Sequence, residues 1–107
     1  MVLTPIPQAD GTIKNRPAIV LREMPRYRDL LVCGISAQLH QRVDGFDEVI
    51  SPSDSDFATS GLLSESLIRL GFLAVLARKN IAGTIGAISS ERRKRLLKEL
   101  SDYLVQL

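Results

Sequence analysis

The chain contains 107 residues, of which 45% are apolar and 24% are charged. This length and apolar fraction predict a single domain with one hydrophobic core, spanning residues 1–107. No stretch approaches the roughly 20 consecutive apolar residues of a membrane-spanning helix, and the first residues lack the basic and apolar regions of a signal peptide. We therefore expect a cytoplasmic protein that does not contact a membrane.

The distribution of charge says more than the net charge of +2, which by itself is too small to indicate a nucleic-acid-binding protein. Residues 14–43 hold six Lys/Arg and two acidic residues, whereas residues 44–65 hold six acidic residues and no basic one. A second basic run occupies residues 92–95. This segregation favours a charged partner on one face of the protein, although we expect the run at 92–95 itself to lie on a solvated helix face.

Cys33 and His40 are the only cysteine and the only histidine in the chain. Cys33 lies in an apolar run, so we expect a small buried side chain in a reducing compartment. One histidine and one cysteine do not supply a zinc site. Histidine is the side chain that most often exchanges protons near neutral pH, so His40 is a candidate general base. The alternative is an ordinary surface histidine.

The first half of the chain is punctuated by turn residues. Four apolar runs predict short strands, at residues 2–6, 17–21, 30–36 and 47–50. Residues 8–12 carry turn chemistry, and residues 22–29 predict a loop or irregular hairpin. Residues 54–60 predict a surface loop.

The second half predicts further strands and one helix. Residues 66–70 predict a strand, residues 71–77 are ambiguous by periodicity, and residues 83–87 predict a short strand. An apolar stripe with helical spacing follows, formed by Leu96, Leu97, Leu100, Tyr103, Leu104 and Leu107. Ser89 or Ser90 can cap this helix. Several short strands followed by one helix predict a mainly β fold, a small curved antiparallel barrel closed by a C-terminal α-helix.

The stretch Lys-Asn-Arg-Pro-Ala-Ile-Val-Leu, residues 14–21, places two basic side chains before an apolar, β-branched run. Pro17 has a fixed φ and no N–H, so it suits the first residue of a strand and keeps Arg16 extended. Arg16 is therefore expected at the entrance of the strand, where a cation can meet an anion in a repeatable position. The alternative is a solvated pair of basic residues before a buried strand.

This stretch resembles the Lys-x-Arg-Pro-(Ala/Val)-(Leu/Ile)-Val-Leu signature of the MazF/PemK toxins of bacterial toxin–antitoxin systems. Four other stretches resemble that family in the same order: Val-Leu-Thr-Pro-Ile-Pro at 2–7, Ile-Ser-Ala-Gln at 35–38, Gly-Leu-x-x-x-Ser at 61–66 and Ile-Gly-Ala-Ile-Ser at 85–89. Each motif is weak alone. Five in the same order, over nearly the whole chain, are fairly specific.

The resemblance implies a small SH3-like (PemK/CcdB-like) barrel with a C-terminal helix, usually a homodimer. It implies a toxin that acts as a metal-independent, sequence-specific endoribonuclease on single-stranded RNA (mRNA), uses no cofactor and is neutralised by a cognate antitoxin. By position, the catalytic pair is Arg16 and Ser36, the second of which is often Thr in family members. We expect the acidic tail of the antitoxin along a basic groove near Lys14, Arg16 and Arg26.

A guanidinium and a hydroxyl fit the chemistry of metal-free RNA cleavage. The ribose 2′-OH attacks the adjacent phosphate and leaves a 2′,3′-cyclic phosphate, while negative charge gathers on the non-bridging oxygens. Arg16 can clamp two such oxygens, and Ser36 can add a directional hydrogen bond. Lys14, Gln38 and Arg69 are candidates for RNA contacts, although Arg69 could equally form an ion pair at a strand edge.

A rival hypothesis keeps the barrel but not the reaction. The chain could be a non-catalytic barrel toxin or a binding module that grips a protein partner such as a topoisomerase. The presence of Arg16 and Ser36 favours the enzyme. The apolar segment at 70–77 favours a protein-binding surface, and part of it could also form a homodimer interface.

Overall fold

The computed structural model describes residues 1–7 and 10–106, and of residues 6 and 7 only the backbone. The elements are β1 (Val2–Pro7), β2 (Ile13–Glu23), β3 (Leu30–Ser36), β4 (Glu48–Ile50), α1 (Phe57–Ser60), β5 (Ser66–Leu76), β6 (Gly83–Thr84) and α2 (Ser90–Leu104). The strand predicted at residues 30–36 is confirmed with the same bounds. The strand predicted at residues 17–21 is longer at both ends. The predicted turn at residues 8–12 lies partly outside the described residues.

The six strands form one antiparallel sheet in the order β4-β5-β3-β2-β1-β6. The mainly β class with a C-terminal helix is confirmed, but in the described residues the sheet does not close into a barrel, because its edge strands β4 and β6 do not pair. These edges are only three and two residues long. Beyond β6 the chain instead bonds to α1, where the Ala87 N–H donates to the Thr59 carbonyl at 2.8 Å.

A bulge in β5 explains why residues 71–77 are ambiguous by sequence. Cys33 pairs with Leu73 and the next residue, Gly34, pairs with Arg69, so three residues of β5 have no partner in β3. The insertion resets the alternation of inward and outward side chains, which is the signal that predicts a strand. The buried Asp47 carboxylate anchors the bulge by accepting the Leu70 N–H at 3.0 Å.

The main core lies between α2 and one face of the sheet. Leu96 and Leu100 pack there with Ile19, Leu21 and Ile68. The helix prediction is confirmed, with Ser89 as the N-cap whose hydroxyl accepts the N–H three residues on. Only part of the predicted stripe is buried, because Tyr103 and Leu104 lie in the exposed last turn. Leu107 lies outside the described residues.

The opposite face of the sheet carries a second, smaller apolar cluster. Val2, Ala18, Leu30 and Val32 form it. Successive residues of a strand point to opposite faces, so Ala18 belongs to this face whereas Ile19 belongs to the main core. We call it the second face.

Arg92 corrects the prediction that residues 92–95 all lie on a solvated face. Its side chain is buried and bonds the carboxylates of Asp56 at 2.8 Å, Glu48 at 3.0 Å and Asp54 at 3.1 Å. The other three residues of the run are exposed. The surface loop predicted at 54–60 is also wrong, since Asp56 and Ser60 are buried and α1 forms there. The acidic carboxylates of the middle segment thus compensate a cation held at the unfavourable N-terminal end of a helix.

Candidate active site

Arg16 lies inside β2 and not at its entrance, because the strand begins three residues earlier. It is exposed and pairs with Thr4 of β1, and Pro17 pairs with Leu3. The β2–β3 ladder begins only at Ala18. Pro17 lies one residue outside this ladder. A proline is tolerated there because no hydrogen bond from its backbone nitrogen to β3 is needed. The backbone of Arg16 is held in place by strand pairing to β1.

Ser36 is the last residue of β3 and is half-buried. Ala18 pairs with Gly34, and this is the last pair at that end of the β2–β3 ladder. Arg16 and Ser36 each lie two residues beyond it, so by the alternation of side chains along a strand both project from the face that carries Ala18. The Ser36 Oγ accepts the Gln38 N–H at 3.0 Å, which leaves its own O–H available as a donor.

Two of the predicted RNA contacts share this face. Lys14, two residues before Arg16, is exposed, and Arg69 pairs with Gly34 next to Ser36. The Arg69 guanidinium lies 5.6 Å from the centre of the Phe72 ring, so the structure shows a cation–π contact for this side chain.

The other predicted residues lie beyond the strands. Gln38 is exposed, and its side-chain carbonyl accepts a hydrogen bond from Gln41 at 3.0 Å. His40 is exposed in a 3-10 turn, Leu39–Gln41, that follows Ser36. Arg26 lies in the β2–β3 hairpin, at the other end of β2 from Lys14 and Arg16. The prediction that Lys14, Arg16 and Arg26 lie along one groove for the antitoxin tail is therefore wrong.

A cleft of about 390 Å³ opens at the Arg16 end of the sheet. Its lining includes Leu3, Arg16, Pro17, Ile35, Ala37, Gly61, Leu62, Leu63, Ser64, Ser66 and Ile85. Each of the five sequence motifs contributes at least one of these residues. Stretches that are far apart in the chain therefore meet at one place in the fold.

Two motif glycines have a packing role, Gly61 in the lining of this cleft and Gly86 against α1. Gly61 ends α1 with φ of 83°, and a Cβ there would collide with the Ile85 carbonyl. A Cβ at Gly86 would collide with the backbone of Thr59 and Ser60. Both positions exclude any larger residue because two backbone segments pass in close contact.

Cys33 is buried, as predicted, and it is a poor nucleophile. Burial, reinforced by the nearby Asp47 carboxylate, raises the pKa of its thiol to about 12.

Across residues 1–7 and 10–106 there is no group of three or more His, Cys, Asp and Glu side chains placed to hold a metal ion. No helix in the same part of the chain is both long enough and apolar enough to span a membrane.

Sequence reasoning missed Thr4 and Phe72, which flank the Arg16–Ser36 pair on the second face. Thr4 is 2% exposed and lies across from Arg16. Phe72 lies in the β5 bulge, with its ring against Gly34. No sequence pattern could have found Thr4, because its position depends on the register of β1 on β2. An aromatic residue next to Gly71 is at most a weak signal for Phe72.

Comparisons with known proteins address the family and the fold of the chain. A model of the PemK-like, MazF-like toxins of type II toxin–antitoxin systems matches residues 1–104. Among solved structures, the Mycobacterium tuberculosis toxin MazF-mt6 is similar in fold, with a TM-score of 0.66 and 19% sequence identity over 97% of this chain and 96% of that one. A search of curated proteins found no match. The motifs, the sheet and the family match together establish that the chain belongs to the PemK-like, MazF-like toxins of type II toxin–antitoxin systems.

Proposed function

We propose that this toxin is a metal-independent, sequence-specific endoribonuclease that cuts single-stranded RNA, including mRNA. The observation that carries the proposal is that Arg16 and Ser36 lie on neighbouring strands, each two residues beyond the Ala18–Gly34 pair, and that Arg16 lines the cleft where all five motifs meet. Arg16 is exposed, so an RNA phosphate can reach it.

In the proposed reaction the ribose 2′-oxygen forms a bond to phosphorus while the bond from phosphorus to the 5′-oxygen breaks. One proton leaves the 2′-hydroxyl and one arrives on the departing 5′-oxygen, so the products end in a 2′,3′-cyclic phosphate and a 5′-hydroxyl. Arg16 holds two non-bridging oxygens through its planar fork, and Ser36 donates its O–H to one of them. Both interactions strengthen as charge develops, which is how such donors accelerate the step.

Lys14 and Arg69 share a face with this pair and are proposed to bind flanking phosphates, while Gln38 is proposed to contact RNA just beyond Ser36. Arginine is too weakly acidic to exchange a proton efficiently, so another group must remove the 2′-proton. His40 follows Ser36 by four residues and is the first side chain to test for that role.

The test is a cleavage assay on a long RNA with EDTA present, comparing the wild-type protein with Arg16→Ala. Discrete fragments ending in a 2′,3′-cyclic phosphate are expected from the wild type only. Equal cutting by both proteins would indicate a contaminating nuclease or a wrong assignment of Arg16. No cutting of any RNA by the wild type would reject the enzyme.

We propose two protein partners for this toxin. A cognate antitoxin with an acidic, partly apolar tail would compete with RNA for Lys14 and Arg16, and its binding would weaken with salt. An antitoxin that binds without protecting RNA from cleavage contradicts this.

A second copy of the chain is the other proposed partner, and a monomer by light scattering at micromolar concentration contradicts it.

One observation supports the rival function, a module that docks on a protein. Leu73 and Val75 of β5 are 40% and 56% exposed, and a groove of about 600 Å³, whose lining includes Leu73, Phe46 and Tyr103, runs between β5 and the last turns of α2. Such a surface suits a protein contact. The same assay separates the hypotheses, because a docking module leaves RNA intact. The proposed setting, the cytoplasm, serves either function.

A further inference from the structure

A small hollow lies on the second face, beside the Arg16–Ser36 pair. Its volume is about 200 Å³, and Thr4, Ala18, Gly34 and Phe72 are among the residues that line it. The register links the hollow to the pair: Ala18 and Gly34 form the ladder pair two residues from Arg16 and Ser36, and Thr4 pairs with Arg16 itself. A molecule in the hollow would therefore be adjacent to a phosphate held by Arg16.

The β5 bulge builds one wall of the hollow. It carries Phe72 over Gly34 so closely that a Cβ on Gly34 would come within 2.6 Å of the ring. The ring is nonetheless 48% exposed at the residue level, with the Arg69 guanidinium 5.6 Å from its centre. An exposed aromatic ring next to a guanidinium is the kind of surface on which single-stranded RNA stacks its bases.

The hollow also contains one unpaired polar atom. Thr4 is 2% exposed, and its Oγ1 has no hydrogen-bond partner among the described residues. A buried hydroxyl without a partner costs stability, and a valine would fill the same space without that cost. A ligand that offers a hydrogen-bonding edge would supply the missing partner.

We propose that this hollow is a base-recognition site for the nucleotide next to the cleaved phosphate. A nucleobase combines the two properties that the hollow requires, a flat face for Phe72 and a polar edge for the Thr4 hydroxyl. Thr4 then acts as a specificity-determining residue and Phe72 as a stacking residue, while Arg16 and Ser36 hold the phosphate. The inference rests on the proposed function insofar as it takes RNA as the ligand.

The test measures binding and does not depend on cleavage. The ¹⁵N-labelled full chain is titrated with each of the four nucleoside 3′-monophosphates, and with inorganic phosphate as the control probe. We expect the amide signals of Ala18, Gly34 and Ala74, all hollow residues, to shift with at least one nucleotide, by amounts that depend on its base, and not with phosphate alone. Shifts that are absent for all four nucleotides, or identical to those with phosphate, overturn the proposal. Shifts that follow protein concentration without nucleotide also overturn it, because the hollow would then be a self-association surface.

Three variants sharpen the result. Thr4→Val should weaken the preferred nucleotide about 10-fold while the melting temperature stays equal or rises, since the unpaired hydroxyl is lost. Phe72→Leu should weaken all four nucleotides about 10-fold. Thr84→Val makes the same chemical change on the exposed strand β6 and should alter neither quantity. Unchanged binding by Thr4→Val, or a lowered melting temperature, contradicts the role of Thr4.

Failure of this inference is distinguishable from failure of the proposed function. If the protein binds nucleotides in the hollow but cuts no RNA, the base-recognition site is supported and the endoribonuclease proposal is rejected. If the wild type cuts RNA and the Thr4→Val variant cuts the same sites with the same preferences, the endoribonuclease proposal is supported and the base-recognition site is rejected.

Discussion

Arg92 and Arg16 are the same side chain in opposite environments. Arg92 is 5% exposed, and three carboxylates, those of Glu48, Asp54 and Asp56, bond its guanidinium. Arg16 is exposed on a strand beside a cleft. Both belong to basic stretches of the sequence, and charge alone does not distinguish them.

The difference lies in solvent exposure, because the Arg92 guanidinium is buried among carboxylates whereas Arg16 is exposed to solvent. The Arg92 guanidinium donates hydrogen bonds to carboxylates of the protein, so it ties α2 to β4 and to the loop before α1. Arg92 also neutralises the charges of Glu48, Asp54 and Asp56, which would repel RNA if they were unpaired. An exposed arginine that shares a sheet face with a serine, and lies next to a cleft, can receive a phosphate. Variants at the two sites should therefore separate stability from activity.

The largest expected effect is on stability at Arg92. Arg92→Ala leaves Asp54 and the buried Asp56 without their cation, while Glu48 keeps Arg95, and this should lower the free energy of unfolding by about 3–5 kcal/mol. Urea unfolding followed by circular dichroism measures this. Arg93→Ala, at the exposed neighbouring position, should change it by no more than about 0.5 kcal/mol. Similar stabilities for the two variants would refute the structural role of Arg92.

The reverse pattern is expected at Arg16. Arg16→Ala should reduce the initial rate of RNA cleavage about 100- to 1,000-fold, by analogy with the loss of one donor to a developing oxyanion. Its free energy of unfolding should change little, because the side chain is exposed. Arg16→Lys should recover little activity, since an ammonium cannot form the bidentate clamp. A folded Arg16→Ala protein that cuts at the wild-type rate removes Arg16 from the mechanism.

Ser36 should show an equal or smaller loss. Ser36→Ala removes one hydrogen-bond donor and also the acceptor for the Gln38 N–H, whereas Ser36→Thr keeps the hydroxyl and should retain activity. The measurement is the same initial rate, with Ser101→Ala, an exposed serine of α2, as the control. Equal activity of the alanine and threonine variants would show that the hydroxyl does not take part.

The smallest expected effect is the loss of folding stability at acidic pH. Burial opposes the charge on Asp56, but hydrogen bonds from Arg92 and from the Ser89 N–H outweigh it, so the pKa of Asp56 is lowered. A carboxyl whose pKa is lower in the folded state stabilises the fold fully above its ordinary pKa of about 4, and this stability is lost as the pH falls through the lowered value.

Unfolding measured from pH 7 downward should therefore be flat at first and then lose stability below about pH 4. Asp56→Asn should lose less stability over the acid range than the wild type, and Asp44→Asn, at an exposed position, should behave like the wild type. An Asp56→Asn protein with the full acid dependence would remove Asp56 from this account.

Much of the fold and of the candidate site could be predicted from residue patterns. The apolar run of β3, the capped stripe of α2 and the burial of Cys33 are local signals, and the structure confirms them. The family resemblance led to Arg16 and Ser36, whose catalytic roles remain a prediction. These features could be read because periodicity, capping and motif spacing are properties of neighbouring residues.

Sequence by itself determined the class of fold, the family and the candidate catalytic pair. Tertiary structure alone decided which arginine is buried, that the sheet stays open and that Thr4 and Phe72 lie beside Arg16. The physical reason is that these outcomes depend on strand register and on contacts between distant residues. The bulge in β5 shifts the pairing by three residues and so decides what Phe72 covers. Asp56 meets Arg92 across 36 residues of chain, a separation at which no local pattern operates.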